Sequence, residues 1–543
     1  MSNPIDVKQE KMVLPCDFVR MCKRNLKRPK IADSSGVDMN GAALLMRALI
    51  FRRLLLREVL GPDEPYVGLL VPPSAGGVLA NVAVALCRRI SVNLNYTVSA
   101  EVMNSCIRQC KIKHVLTSRK VMEKLNIELD AKIIYLEDFK DKVTTADKLI
   151  AATMTYAWPS ALIERWLGLN KIKDDDLLTV IFTSGSTGEP KGVMLTQRNV
   201  ASNVESVKYL LQLTRDDCVI GILPFFHSTG FTTTLWTALT LDPKGVYHFS
   251  PLEARQVGEL CRKHHATILV SAPTFLRNYL RRVPAEDFAS LEVVLTGAEK
   301  LPVDLCDAFE KKFGMRPGEG YGTTELSPIA AFHVPKDRAT RPDQLGFKEG
   351  TVGRPIPDVS AKAIDPDTGA DVGIGQEGLL CFKGPNVMKG YLNRPDLTAK
   401  VIKDGWYNTG DVGMVLPDGS VQITGRQSRF SKIGGEMVPH IMIEEHLQKI
   451  LNMDPDEVKV AVTGVPDVSR GERLIVLYTE LSKAPDAICR ELSAAGLPNI
   501  WIPSPDSFCQ VDTIPVLGTG KLDLKALKDL ALSRFGAEKA SSR

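Results

Sequence analysis

The 543-residue sequence has no marked surplus of either charge: 68 lysines and arginines face 64 aspartates and glutamates, for a net charge of +4. So small a surplus over this length gives no electrostatic case for nucleic acid as a partner. The eleven cysteines lack the paired spacing of a metal site. Cys106 and Cys110 stand four apart, a spacing that on a helix simply places two small apolar side chains on one face. No basic, apolar, small-residue leader opens the sequence, and a reducing cytoplasm is the expected compartment.

Long uninterrupted apolar runs are missing as well. The stretch that raises a membrane question, Ala42 to Leu60, interleaves its leucines with Arg47, Arg52, Arg53 and Arg57. Those charges exclude a spanning helix, which needs about 20 mostly apolar residues. The stretch reads as an amphipathic helix covering the first sheet and ended by Gly61-Pro62. The alternative is an interfacial helix with snorkelling arginines, which would make the protein peripherally membrane-associated.

What is present describes a globular chain of two or three domains, with 44% hydrophobic and 24% charged residues. Tyr66 to Val71 reads as a strand, Pro72 to Gly77 as a turn and Val78 to Cys87 as a helix; the alternation recurs around His114-Val115-Leu116 and Ile133-Ile134-Tyr135. This pattern predicts α/β architecture with doubly wound parallel sheets. From Gly350 the texture changes to short strands and Gly/Asp/Pro turns, a β-rich subdomain over about 350–425. A last shift in composition predicts a linker at about 425–430, dividing an N-terminal domain, 1–425, from a small mobile α+β domain, 426–543.

One loop organises the chain. The apolar, β-branched run Leu177 to Phe182 leads into Thr183-Ser184-Gly185-Ser186-Thr187-Gly188-Glu189-Pro190-Lys191-Gly192, and Val193-Met194-Leu195 reads as a second strand. Glycines let the backbone approach a ligand, hydroxyls and main-chain N–H groups donate, and Lys191 adds positive charge, as a polyphosphate requires. The commonest phosphate loop is excluded, because Lys191 follows proline and precedes glycine. Gly373 to Gly378 matches a dinucleotide fingerprint, but a strand follows where a helix is required. Gly520-Lys521 likewise lacks the Ser or Thr of a phosphate loop, so Lys521 reads as a lysine on a glycine loop that can swing into a site.

Three more segments carry candidate chemistry. Phe225, Phe226, His227 and Gly230 stand at a strand end, where ligands bind in parallel sheets. A core histidine satisfied by neighbours is the competing reading of His227. Thr296-Gly297-Ala298-Glu299-Lys300 ends another strand. In Gly318-Glu319-Gly320-Tyr321-Gly322-Thr323-Thr324-Glu325 a glycine-flanked tyrosine is suited to stacking on a base, and Thr324 and Glu325 offer oxygens to a hard cation.

Taken together and in order, these motifs resemble those of the adenylate-forming enzymes, the superfamily of acyl-CoA synthetases, luciferases and peptide-synthetase adenylation domains. The resemblance implies ATP and Mg²⁺ as cofactors. It implies that residues 183–192 (Thr183, Ser184, Gly185, Ser186, Thr187, Gly188 and Lys191 among them) hold the β- and γ-phosphates, and that Thr183 and Glu325 sit around the metal. Gly297, Ala298, Glu299 and Tyr321 would flank the adenine, Gly322, Thr323 and Thr324 would also belong to the nucleotide site, and Asp411 would bind the ribose hydroxyls. Arg426 and Lys432 would lie near the nucleotide, Lys521 would be the catalytic lysine of a rotating C-terminal domain, and Phe226, His227, Gly297 and Gly322 would border the acid substrate. A lysine about 4 Å from an oxyanion is worth roughly 4 kcal/mol at an effective dielectric of 20.

Within the superfamily, Pro72 to Gly77, Val92 to Thr97, Gly297 to Leu301 and Arg429 to Val438 resemble the synthetase part of bifunctional 2-acylglycerophosphoethanolamine acyltransferase/acyl-acyl-carrier-protein synthetases. That likeness implies a long-chain fatty acid as substrate and acyl carrier protein as thiol acceptor, with coenzyme A the alternative. The pattern departs at Ser428 and Arg429, where the family has lysine followed by an acidic or lysine hinge residue. A non-catalytic acyl or nucleotide binding module is the rival of another class, and the retained Lys521, Asp411 and Glu325 speak against it.

Overall fold

The computed structural model describes residues 12–183, 189–297, 299–340, 347–426, 429–433, 436–454, 457–467, 470–516 and 522–535. Two large sheets form the N-terminal domain. One has seven strands, in the order Gly390–Tyr391, Lys191–Thr196, Leu177–Thr183, Ile90–Asn93, Tyr66–Leu70, His114–Thr117 and Lys132–Tyr135. Its last five strands are parallel neighbours, and Lys191–Thr196 turns back antiparallel on Leu177–Thr183. The other has nine strands, with a parallel centre of Gly318–Gly322, Val293–Thr296, Ile268–Ser271, Cys218–Gly221, Lys244–Tyr247 and Pro29–Asp33. The central strands Tyr66–Leu70, Cys218–Gly221 and Ile268–Ser271 are almost wholly buried and rich in valine, leucine and isoleucine, as parallel strands covered on both faces are.

The Ala42 to Leu60 stretch folds as the helix Gly41–Glu58, packed between helices Ala75–Leu86 and Thr145–Tyr156. Its arginines serve the fold. Arg52 Nε donates to the Leu86 carbonyl at 2.9 Å, while Arg53 and Arg57 converge on the fully buried Asp147 at 2.8 and 3.0 Å. Burial alone would push the Asp147 carboxyl up, but hydrogen bonds from Arg53, Thr144 and Arg57 outweigh it and hold the group well below the usual carboxylate range. No helix among the described residues is long and apolar enough to cross a membrane. Cys106 and Cys110 are buried on the helix Ala100–Cys110, free and apolar in role, as the spacing suggested.

The β-rich region forms a third sheet around Trp406–Val415, which pairs with Gly378–Lys383, Ile402–Lys403 and Val421–Arg426. The strands from Phe430 onward form a separate, smaller sheet. It runs Glu436–Pro439, Phe430–Ile433, Gly471–Tyr478, Val460–Asp467, with Phe508–Gln510 alongside Gly471–Tyr478. Helices His440–Ile450, Pro485–Ala494 and Leu524–Phe535 cover it. This is the large α/β domain and small C-terminal domain expected from the sequence.

Candidate active site

Thr183 ends its strand opposite Lys191, the first residue of the returning strand, so the segments flanking the organising loop are antiparallel neighbours. Ser184, Gly185, Ser186, Thr187 and Gly188 lie outside the described residues, as do Ala298 and Lys521, and the side chain of Lys432. The base of the loop is braced by Gln109, whose Nε2 donates to the Pro190 carbonyl at 3.0 Å.

The two-residue strand Gly390–Tyr391 adds to the hairpin, with Tyr391 in register with Val193. This pairing puts the Tyr391 ring 5.2 Å from the Lys191 ammonium, a cation–π contact. The hydroxyl of the same ring donates to Glu325 Oε1 at 2.7 Å. Burial, with the Glu325 carboxylate beside it, pushes the Tyr391 phenol far above its ordinary range, so it stays a donor at any working pH. Lys191, at the end of the expected phosphate loop, and Glu325, the expected metal carboxylate, are thereby joined through one side chain that the sequence reading did not single out.

The tyrosine segment is a strand, Gly318–Gly322, parallel to Val293–Thr296 and antiparallel to Ile329–Phe332. Gly322 is obligatory there, because a Cβ would lie 1.8 Å from the Pro328 carbonyl oxygen. Tyr321 packs on Phe382 with ring centroids 5.6 Å apart, and its hydroxyl donates to Asp411 Oδ2 at 2.5 Å. Arg426 Nε donates to the other oxygen, Oδ1, also at 2.5 Å, from the register position facing Asp411 across the third sheet. Asp411 is thus a buried carboxylate held from both sides, with its own N–H bonded to Thr409 Oγ1 at 3.0 Å.

Around the Gly297 turn, Glu299 Oε2 accepts from Thr274 Oγ1 at 2.7 Å. Gly297 lies against the Gly320 backbone: a Cβ there would meet its carbonyl oxygen at 3.3 Å. Glu319 enters the same neighbourhood. Its Oε1 accepts from the Leu301 N–H at 3.3 Å, and burial raises its carboxyl to about 7. Lys300 Nζ reaches Glu445 Oε1 at 2.9 Å on the helix His440–Ile450, bringing the C-terminal domain against this turn.

Thr324 Oγ1 accepts from Ser228 Oγ at 3.4 Å, which links the tyrosine segment to the Phe225–Gly230 turn. There Phe226 is buried edge-on against Tyr96, with centroids 4.8 Å apart, and His227 leans on Phe226 at 4.6 Å. His227 is exposed, which corrects the competing reading of it as a core histidine: its ring rests on the outer side of the buried Phe226. Phe225, Phe231 and Trp236 belong to the main hydrophobic core, the last two on a π-helical segment, Gly230–Trp236. Helical irregularities of this kind cluster at functional sites.

Glu325 and Thr183 offer a carboxylate and a hydroxyl, the oxygen donors a hard divalent cation prefers. No group of three or more acidic, histidine or cysteine side chains suited to a metal occurs among the described residues. A single carboxylate fits Mg²⁺, which takes one or two protein oxygens and completes its shell with water and phosphate.

Two large sheets, a β-rich third sheet and a small terminal one thus bring together Lys191, Tyr391 and Glu325, and separately Tyr321, Asp411 and Arg426. The chain belongs to the AMP-binding enzyme family, whose model matches residues 18–392. It is 32% identical over 367 residues to 4-coumarate–CoA ligase 3 of Oryza sativa subsp. japonica, covering 66% of this chain and 64% of that protein. It is 33% identical over 329 residues to a long-chain-fatty-acid–CoA ligase of Bacillus subtilis, covering 59% and 56%. The matches thus span less than two thirds of these relatives' own length. Among solved structures, ATP-bound MatB from Rhodopseudomonas palustris superposes with a TM-score of 0.76 at 24% identity, over 95% of this chain and 98% of that one.

Proposed function

We propose that this protein is an AMP-forming acid–thiol ligase that joins a long-chain fatty acid to coenzyme A through an acyl-adenylate. The observation that carries the reading is the meeting of Lys191 and Glu325, from distant parts of the chain, on the two sides of the Tyr391 ring and hydroxyl. Such an arrangement gives one side of a site a fixed cation and a fixed carboxylate, the complement of a metal-bound triphosphate. The names of the relatives favour coenzyme A over acyl carrier protein as acceptor; the carrier reading rests on the sequence likeness alone. Both acceptors present the same phosphopantetheine thiol.

In this reading Tyr321 packs against the base, and Asp411, pinned by Tyr321 and Arg426, accepts from the ribose hydroxyls. Lys191 neutralises phosphate charge as the acid's carboxylate approaches the α-phosphate. Glu325 and Thr183 would hold Mg²⁺, which would supply further opposing charge. The domain over 426–543 acts as a lid that delivers Lys521 to the α-phosphate and withdraws it for thiol attack.

The test is a radiolabelled fatty-acid activation assay with ATP and Mg²⁺, run in parallel with coenzyme A, holo acyl carrier protein and apo carrier. Product on coenzyme A is expected. Product on holo carrier alone would move the acceptor assignment, and no AMP with any acid would favour a binding module. A Lys521→Ala variant should lose roughly three decades in ATP–pyrophosphate exchange.

A further inference from the structure

The apolar surface of the N-terminal domain is uneven. Five of its exposed large hydrophobic side chains, Leu149, Ile150, Tyr156, Leu162 and Trp166, fall within eighteen residues on two consecutive helices, Thr145–Tyr156 and Ser160–Leu167. Singly scattered apolar residues are ordinary on a protein surface, but a contiguous group is not. Leu149, Tyr156 and Trp166 are 64%, 63% and 69% exposed. Helical spacing explains the face: 149, 150, 153 and 156 project opposite to the buried Asp147, Ala151, Met154 and Thr155. The second helix repeats the arrangement, with Ala161, Leu162, Arg165 and Trp166 outward and Ile163, Glu164 and Leu167 inward. Trp166 sits edge-on to Trp158 of the connecting turn, with centroids 5.6 Å apart.

Charge decides what such a face suits. Between Thr145 and Lys173 the only carboxylates are Asp147 and Glu164. Both are buried, Asp147 under Arg53 and Arg57, and Glu164 under Arg20 at 2.9 Å. The outward charges of the same stretch are Lys148, Arg165, Lys171 and Lys173, all basic, and Lys23 borders the face by donating to the Thr155 carbonyl at 2.7 Å. Acids resume only at Asp174, Asp175 and Asp176, where the chain enters the strand Leu177–Thr183. Tryptophan and tyrosine beside lysine and arginine is the chemistry of a surface seated at the boundary between lipid headgroups and acyl chains.

We infer that the outer face of helices Thr145–Tyr156 and Ser160–Leu167 docks on an anionic lipid bilayer surface, with Leu149, Tyr156, Leu162 and Trp166 inserted and Lys148 and Arg165 at the headgroups. The assignment moves any membrane contact from the arginine-bearing helix Gly41–Glu58, whose Arg52, Arg53 and Arg57 are engaged inside the protein, to Thr145–Tyr156, which packs on it, and to the next helix, Ser160–Leu167, which packs on Leu14–Arg24. It does not depend on the ligase reading, since it is measured without ATP or acid.

The experiment is flotation of the full chain with vesicles of phosphatidylcholine alone and of phosphatidylcholine mixed with phosphatidylglycerol. Wild type should float with the mixed vesicles and release as salt is raised. The Leu149→Ser/Trp166→Ser variant should partition at least about tenfold more weakly, and Lys148→Glu/Arg165→Glu at least about twentyfold more weakly on the anionic vesicles. Circular dichroism and thermal unfolding identify a variant that fails to fold, in which case Lys148→Gln/Arg165→Gln takes its place. Wild type remaining unbound on anionic vesicles, or variants floating as wild type does, would overturn the proposal. So would a wild-type dimer that ignores vesicles and that Leu149→Ser/Trp166→Ser converts to a monomer, because the face would then be a protein contact.

Discussion

Tyr391 donates its hydroxyl to Glu325 at 2.7 Å while its ring lies 5.2 Å from the Lys191 ammonium. One side chain therefore sets the position of both the carboxylate and the cation of the candidate site, by two separable interactions. Tyr391→Phe removes the first and keeps the second. ATP–pyrophosphate exchange should fall by about tenfold, the scale of one charge-assisted hydrogen bond, with the melting temperature nearly unchanged. Tyr391→Leu also removes the ring beneath Lys191 and should fall further. Exchange by Tyr391→Phe equal to that of wild type would show that Glu325 needs no such support.

Asp411 is fixed from both sides, so its neighbours should not be equivalent in a titration of function. Tyr321→Phe takes away one 2.5 Å hydrogen bond and leaves the ring packed on Phe382. Its main effect should be a few-fold rise in the KM for ATP. Asp411→Ala leaves the buried Tyr321 hydroxyl and the Arg426 guanidinium without their shared acceptor, and should raise that KM by about a hundredfold or more. Steady-state kinetics over a range of ATP concentrations separates the two, and equal KM values would remove Asp411 from the nucleotide site.

The hairpin around residues 183–191 was legible because a β-branched run, a Ser/Gly loop and a second apolar run describe it locally. Gly318–Gly322 was not read as a strand, since three glycines in five residues carry no strand propensity; its state comes from pairing on both sides with Val293–Thr296 and Ile329–Phe332. Tyr391 escaped for a related reason. What brings it to Lys191 is the short pairing of Gly390–Tyr391 with residues 193–194, and strand partnership over such separation leaves no mark in the order of residues. A glycine-flanked aromatic, Gly390-Tyr391, was its one local signal. His227 lies in the turn that follows the strand Cys218–Gly221, and its exposure was invisible in the sequence, because the burial of the neighbouring Phe225 and Phe226 says nothing about the side chain that follows them.

Glu319 gives the fold a pH dependence with a definite sign. Burial raises its carboxyl in the folded protein to about 7, above the 4.5 of an unperturbed glutamate. A raised carboxylate contributes stability that is fully present below the unfolded value and is lost as pH rises through the folded one. Between about pH 4.5 and 7 the unfolded chain has released this proton and the folded chain has not, so this group makes stability fall with pH across that window. Glu319→Gln should remove that component. Thermal unfolding from pH 5 to pH 8 should find the variant's disadvantage, if any, shrinking as pH rises. A difference between variant and wild type that stays constant over the range would mean that Glu319 ionises normally.

Arg429 stands where the family pattern has a hinge residue, yet its side chain is buried in the C-terminal domain. It pairs with the buried Glu444, and the two hold the backbone of one residue through both of its polar groups: Arg429 Nη1 donates to the Val462 carbonyl at 3.2 Å, and Glu444 Oε1 accepts from the Val462 N–H at 2.6 Å. The arrangement ties the first strand of the domain, Phe430–Ile433, to the helix His440–Ile450 and the strand Val460–Asp467, so residue 429 travels with the domain rather than flexing freely at its edge. Removing one member strands a buried charge. Arg429→Ala should therefore cost about 3–5 kcal/mol, whereas the double change Arg429→Met/Glu444→Leu, which removes both charges and keeps volume, should recover most of it. Urea unfolding monitored on the C-terminal domain distinguishes the two, and recovery by the double variant would identify the penalty as desolvation of an orphaned carboxylate. If Arg429→Ala unfolded like wild type, the guanidinium would have to be dispensable to Glu444, and the domain's attachment would rest on its apolar core alone.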